Sequence, residues 1–136
     1  MRVLALDYGS ARCGVAISDP TGVLATPLEA VSKPGSRQGQ GKLLALIAEL
    51  DVDRVVVGLP LSLSGEDSDQ TREAREFAAV LEKRLRHRRL DVIVELYDER
   101  FTTRLAQRDG SGVSVRADED SRAAAHLLSG WLDSQR

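Results

Sequence analysis

Apolar positions follow two spacings along this chain, and their order predicts an α/β fold. Short apolar runs predict five strands, at about 2–7, 13–18, 23–31, 54–59 and 91–97. Apolar residues three and four positions apart predict helices, one containing 43–50, one at about 69–88, a short one starting near 102 and a last one at about 119–133. Stretches rich in Gly, Ser and Pro or in polar residues predict loops at 32–41, 62–70 and 109–117.

The connections between these strands predict a mixed sheet. The turn at 9–12 joins the first two strands as an antiparallel hairpin, and Pro27 indicates an edge position for the third strand, because proline cannot donate to a ladder. The run 54–59 is apolar on both faces, which is typical of a parallel strand covered by helices. Strands 2–7, 54–59 and 91–97 are therefore expected to be parallel, with their carboxyl ends at the edge where ligands bind in open α/β sheets.

Two acidic residues stand where parallel strands are expected to end. Asp7 closes the first apolar run, and Glu99 follows the strand at 91–97. A carboxylate at the tip of a buried strand loses hydration, which is tolerated only opposite a cation or several hydrogen-bond donors. Two alternatives stay open. The Asp7 side chain could close a turn, and strand alternation lets only one of Asp98 and Glu99 face Asp7.

A third acid, Asp120, opens the last predicted helix. It shares a helical face with Ala124, Leu127 and Trp131, which are expected to be buried. The alternative is an exposed acid that stabilises the helix N-terminus, a role equally open to the two acids before it. Carboxylates without His or Cys partners suit Mg²⁺ or Mn²⁺, and two such ions can support phosphodiester hydrolysis.

The composition is that of one globular domain spanning residues 1–136. The chain is 42% hydrophobic and 29% charged with a net charge of −2, so it is not typical of a disordered protein or of a strongly basic nucleic-acid binder. No apolar stretch approaches the roughly 20 residues that a membrane span needs, and the N-terminus lacks a signal-peptide pattern. The single cysteine, Cys13, is expected to be a buried strand residue and fits a cytoplasmic location.

Five sequence blocks, together with the last helix, resemble the YqgF/RuvX family and lie in the family's order. These blocks are Leu4–Gly9, Gly14–Asp19, Val57–Leu61, Arg72–Ala78 and Tyr97–Thr103. The resemblance implies an RNase H-like fold, with a mixed five-stranded sheet of order 3-2-1-4-5 flanked by helices. It also implies a metal-dependent nuclease in which Asp7, Glu99 and Asp120 are catalytic and hold two Mg²⁺ or Mn²⁺ ions. This selects Glu99 over Asp98, while the segment Asp120–Ala124 departs modestly from the family pattern.

The resemblance further implies a role in maturing the 5′ end of 16S ribosomal RNA. Holliday-junction resolution is a second function proposed for the family, and it requires a two-fold homodimer because two strands are cut symmetrically. A third hypothesis is a non-catalytic RNA-binding factor of ribosome assembly. The expected partners are structured RNA, branched DNA or pre-ribosomal particles, with no membrane. At 136 residues, an actin-like phosphotransferase with its second lobe is not expected.

Four residues near the predicted edge are candidates for substrate contact: Arg12, Gly58, Arg72 and Arg100. Arginine suits bidentate phosphate contacts, and a glycine lets a substrate strand approach the backbone closely. The dense basic run Lys83–Arg89 is typical of a solvated helix C-terminus, with a phosphate contact as the alternative. Neither histidine, His87 or His126, is expected to be catalytic.

Overall fold

The computed structural model describes residues 1–61, 64, 66–99 and 119–135. The strands in these residues are β1 (Val3–Asp7), β2 (Arg12–Ser18), β3 (Ala25–Ser32), β4 (Arg54–Leu59) and β5 (Ile93–Asp98). The helices in these residues are α1 (Arg37–Glu49), α2 (Asp69–His87) and α3 (Glu119–Ser134). The short helix expected near 102 and the loop expected at 109–117 lie outside the described residues.

The strands form one mixed sheet in the order β3-β2-β1-β4-β5. Strand β1 pairs antiparallel with β2 and parallel with β4, and β4 pairs in parallel with β5. The predicted order and the parallel orientation of β1, β4 and β5 are therefore confirmed. Pro27 lies opposite Ala16 on the edge strand β3, where a residue without an N–H can be accommodated.

Alternate side chains of the sheet pack into cores on opposite faces. On β1, Leu4 and Leu6 join the core beneath α1 and α2, whereas the odd-numbered apolar residues join the core beneath α3. By this alternation Asp7 belongs to the α3 side of the sheet. Tyr8 packs against the core of the other side. The chain thus presents consecutive residues to two different faces at one edge of the sheet.

The apolar stripes predicted for the second and last helices are buried. On α2 the stripe consists of Ala74, Phe77, Leu81 and Leu85, all buried. On α3, the side chains of Ala124, Leu127 and Trp131 are no more than 2% exposed. Within the part of the chain that the structure describes, no helix has the length and apolar character needed to cross a membrane.

The predicted loop at 32–41 is wrong over its second half, because α1 begins at Arg37. Ser36 caps this helix, and its Oγ accepts a hydrogen bond from the Gly39 N–H at 3.0 Å. A Cβ on Gly39 would lie 2.2 Å from the Lys33 carbonyl oxygen. Glycine at this position therefore permits close packing between the helix and the preceding segment. Gly39, which indicated a loop in the sequence, therefore lies in a helix and allows its contact with the preceding segment.

Candidate functional site

The carboxyl ends of β1, β4 and β5 meet at one edge of the sheet, as the parallel pairing requires. Asp7 is the last residue of β1, and Glu99 directly follows β5. Gly58 lies near the end of β4, the strand between them, and pairs with Tyr97 of β5. The sheet therefore brings the first two predicted acids to the same edge.

Asp7 and Glu99 are in direct contact through a hydrogen bond between their side chains. Glu99 lies back over β4, where Gly58 has no side chain to obstruct it. A Cβ on Gly58 would lie 2.6 Å from Oε1 of Glu99 and 3.0 Å from Cδ2 of Leu127. The space beside Gly58 is thus occupied by the protein itself, and the approach of a substrate strand at this glycine stays a prediction.

The environment of Glu99 raises the pKa of its carboxyl group to about 8. Burial is the largest cause, because the charged form loses solvation there. The hydrogen bond to Asp7 follows, then the negative charges of Asp7 and Asp98. Near neutral pH, Glu99 therefore keeps its proton and donates it in the hydrogen bond to Asp7. A cation at this position would replace that shared proton.

The start of α3 is fixed against β2 by two contacts that sequence reasoning missed. A Cβ on Gly14 would lie 1.8 Å from the carbonyl oxygen of Asp120, so only glycine allows the helix to approach this closely. Beside a register shift in β2, the Val15 N–H donates to Oγ of the fully buried Ser121 at 3.2 Å. Because Gly14 pairs with Asp7 across the hairpin, the Asp120 backbone lies near the end of β1.

The side chain of Asp120 forms an ion pair with Arg12. The Oδ2 atom lies 3.3 Å from Nε of Arg12, and the two side chains are 37% and 63% exposed. Burial, followed by the charges of Asp7 and Asp120, raises the pKa of the fully buried Cys13 thiol, so both acids lie near this thiol. Among the residues described, no group of three or more His, Cys, Asp or Glu side chains is arranged to hold one metal ion. The third acid lies near the Asp7–Glu99 pair without completing a site with it.

The chemistry of these donors fits a hard divalent cation. Asp7, Glu99 and Asp120 offer only carboxylate oxygens, the ligands that Mg²⁺ and Mn²⁺ prefer. The hydrogen-bonded pair supplies two of these groups in one place.

The remaining substrate candidates lie in different settings. Arg72 is exposed near the start of α2 and pairs with Asp69 of the same helix. Arg100 lies outside the described residues. The basic run Lys83–Arg89 lies at the end of α2, and its charged side chains are exposed. Because α2 leads from the carboxyl end of β4 back to the start of β5, this run lies at the sheet edge opposite the acids.

A mixed sheet of order β3-β2-β1-β4-β5, with helices packed on both faces, has the architecture of an RNase H-like fold. The chain is similar to Thermus thermophilus RuvC in complex with a Holliday junction substrate, with a TM-score of 0.66 and 14% identity over 99% of this chain and 95% of that chain. The Holliday junction resolvase of fowlpox virus matches with a TM-score of 0.58 and 10% identity over 98% of this chain and 99% of that chain. These likenesses establish the fold.

The chain belongs to the RuvX family, whose model, described as Holliday junction resolvase, matches residues 1–134. A relative from Mycobacterium leprae (strain Br4923), named "Putative pre-16S rRNA nuclease", is 41% identical over 99% of this chain and 74% of its own length. A relative of the same name from Koribacter versatilis (strain Ellin345) is 38% identical over 93% of this chain and 82% of its own length. The family resemblance predicted from sequence is confirmed, and the protein is a nuclease of this family.

Proposed function

We propose that this protein hydrolyses phosphodiester bonds of precursor 16S ribosomal RNA at its 5′ end, in a reaction that depends on a divalent metal. The contact between Asp7 and Glu99 carries this proposal, because two carboxyl groups held together at a strand edge are suitable ligands for a hard cation. The names of the relatives from M. leprae and K. versatilis support the choice of substrate. Such an enzyme would act in the cytoplasm on pre-ribosomal particles.

Three acids would hold two Mg²⁺ or Mn²⁺ ions. Asp7 would contribute to both ions, while Glu99 and Asp120 would contribute to one each. When bound, such ions lower the pKa of a water molecule and stabilise the leaving oxygen. The rest of the chain positions the acids, since Gly58 leaves space for Glu99 and Gly14 admits the first turn of α3.

Arg12 would connect this site to the substrate. Its side chain is 63% exposed and is paired with Asp120. A substrate phosphate would compete with Asp120 for the guanidinium group, because both are anions that accept charged hydrogen bonds. Asp120 would then be released towards the Asp7–Glu99 pair. Arg72 and Arg100 are the further proposed phosphate contacts.

Cleavage of an RNA that carries the 5′ leader of precursor 16S RNA, in Mn²⁺ buffer, tests this function. Asp7→Asn and Glu99→Gln should bind the RNA, but their cleavage rate should fall by a factor of about 100 or more. The reason is that a metal ligand supplies several kcal/mol of transition-state stabilisation. Asp51→Asn is the matched control. Asp51 is exposed at the opposite edge, and its φ of 50° is one that asparagine also adopts.

Equal cleavage by wild type and Asp7→Asn would contradict the metal site. RNA binding without cleavage by the wild-type protein would favour a non-catalytic assembly factor. Mapping of 16S 5′ ends in cells depleted of the protein tests the substrate, and mature ends at normal levels would contradict it.

A second candidate function is resolution of Holliday junctions. The structural likeness to T. thermophilus RuvC bound to a Holliday junction favours it. A resolvase that cuts two strands symmetrically should be a two-fold homodimer. Paired cuts in a four-way DNA junction, together with a dimer mass by light scattering, would support this function. A monomer that leaves the junction intact would exclude it.

A further inference from the structure

A cavity of about 180 Å³ lies at the acidic edge of the sheet, between Tyr8, the first turn of α1 and the outer face of α2. The side chains that line it are those of Tyr8, Gln40, Glu73, Glu76, Phe77 and Val80. It lies on the α1–α2 side of the sheet, since Tyr8 packs with that core, whereas Asp7 belongs to the α3 side. The proposed nuclease site does not use this cavity.

Gln40 provides an unsatisfied hydrogen-bond acceptor in the wall of the cavity. The residue is 2% exposed, and its Nε2 donates to the Pro34 carbonyl oxygen at 3.1 Å. This hydrogen bond fixes the orientation of the amide, because a carbonyl oxygen cannot accept from Oε1. Oε1 has no hydrogen-bond partner among the described residues. A ligand with an N–H group would satisfy this buried oxygen.

Acidic and aromatic side chains complete the wall. Glu73 and Glu76 are exposed, and neither is in an ion pair with another described residue. The rings of Tyr8 and Phe77 lie together, with centroids 4.7 Å apart and planes tilted by 32°. Carboxylates and aromatic faces both attract cations, and carboxylates accept hydrogen bonds from them. Three different kinds of group in this wall therefore favour the same ligand chemistry.

We propose that this cavity binds a guanidinium group, presented by an arginine side chain of a partner protein. A guanidinium is planar, carries five N–H donors and no acceptor, and packs well against aromatic rings. Its five N–H groups are enough to supply donors for Gln40 Oε1 and for the two carboxylates. The cavity is smaller than the ~300–1,000 Å³ of common small-molecule sites, so it suits a single side chain rather than a large cofactor.

A nucleobase is the main competing ligand, and the charges disfavour it. An amino-bearing base could also donate to Gln40 and stack on the rings. However, its phosphates would then lie close to the carboxylates of Glu73 and Glu76, which repel them. The observed charges therefore favour a cationic group over a nucleotide.

Nuclear magnetic resonance titrations of the wild-type protein test this site. The probe is a capped glycine-arginine-glycine peptide, and its counterpart carries citrulline, which keeps the shape but lacks the charge. The arginine peptide should shift the side-chain amide resonances of Gln40 and the ring resonances of Tyr8. The citrulline peptide should bind with an affinity that is lower by a factor of about five or more. Adenosine and cytidine 5′-monophosphates serve as the nucleotide probes.

Substitutions at the cavity rim complete the test. The double variant Glu73→Gln/Glu76→Gln should weaken binding of the arginine peptide about fivefold, because it loses two exposed ion pairs. Glu29→Gln/Glu49→Gln removes the same charge from exposed positions on β3 and α1, and should bind like wild type. Equal binding of the arginine and citrulline peptides, or stronger shifts with a nucleotide, would overturn the proposal. RNA cleavage is not the readout, so failure of the proposed function leaves this test intact.

Discussion

The two ends of the parallel strands carry charge in contrasting ways. At the carboxyl ends, Asp7 and Glu99 are partly buried and hydrogen-bonded to each other, although both are acids. At the opposite edge, the basic run Lys83–Arg89 ends α2 with its charged side chains in water. Basic residues at a helix C-terminus are stabilised by the helix dipole and by solvent. The acids at the carboxyl ends have other acids as neighbours and have lost part of their hydration.

This difference indicates that the fold constrains side-chain positions more tightly at the acidic edge than at the basic edge. Two acids that are partly buried against each other persist only where the surrounding structure leaves them no alternative position. At the acidic edge two glycines provide that constraint, Gly58 beneath Glu99 and Gly14 beneath the start of α3. At the basic edge no comparable close approach by a glycine is observed among the described residues.

The largest effect is expected from filling the closest contact at the acidic edge. A Cβ on Gly14 would lie 1.8 Å from the Asp120 carbonyl oxygen, so Gly14→Ala must displace the first turn of α3. We expect a loss of about 1–3 kcal/mol in the free energy of unfolding, measured by urea denaturation, and a loss of RNA cleavage.

Gly41→Ala is the matched control for that change. Gly41 lies within α1, and a Cβ there would meet nothing within 4 Å. Alanine should stabilise the helix by about 0.5–1 kcal/mol. If both alanine variants behaved alike, the close contact at Gly14 would not be what fixes Asp120.

The next effect concerns the proton shared by the two acids. Glu99 has its pKa raised from 4.5 to about 8, so between these values the folded protein retains a proton that the unfolded protein has lost. The stability that this group contributes is therefore complete below pH 4.5 and is lost as the pH rises to 8. After allowance for partial exposure, we expect a loss of about 1–2 kcal/mol.

Comparison with Glu99→Gln isolates this effect. In EDTA, urea denaturation at pH 5 and pH 9 measures how much the free energy of unfolding falls between the two pH values. The fall should be smaller for Glu99→Gln than for the wild type, because the variant has no proton to lose at this position. In Mn²⁺ buffer, wild-type cleavage should rise with pH over the same range, because a metal ion competes with the proton. Parallel stability profiles for wild type and variant would show that the two carboxyl groups do not share a proton.

Periodicity allowed the fold to be predicted, because apolar residues repeat at positions that both secondary structure and burial require. The acids could be located at strand ends for the same reason. Their mutual arrangement could not, since the Val15–Ser121 hydrogen bond joins residues 106 positions apart. One glycine was a misleading signal, because Gly39 indicated a loop and lies in a helix. Beside Gly58 the side chain of Glu99 occupies the space, and a substrate contact at this glycine stays a prediction.

A smaller effect is expected from Arg12, the arginine of the predicted set that is paired with Asp120. Arg12→Ala should change the free energy of unfolding by less than about 1 kcal/mol, because exposed ion pairs contribute little. If Arg12 also contacts a substrate phosphate, KM for RNA cleavage should rise about fivefold. Lys42→Ala, at an exposed position of α1, is the charge-matched control. An unchanged KM in Arg12→Ala would leave this arginine a structural partner of Asp120 alone.

The smallest effect is expected at the basic edge itself. Arg86 and Arg88 are exposed at the end of α2, and the double variant Arg86→Gln/Arg88→Gln removes two charges there without entering the core. If this edge is only solvated, stability should fall by about 0.5 kcal/mol and KM should stay within about twofold of wild type. A phosphate contact would instead raise KM and make binding less sensitive to salt, because fewer counterions are released on binding. The salt dependence of RNA binding therefore distinguishes the two roles, and a reduced slope in this variant would mean that a substrate reaches both edges of the sheet.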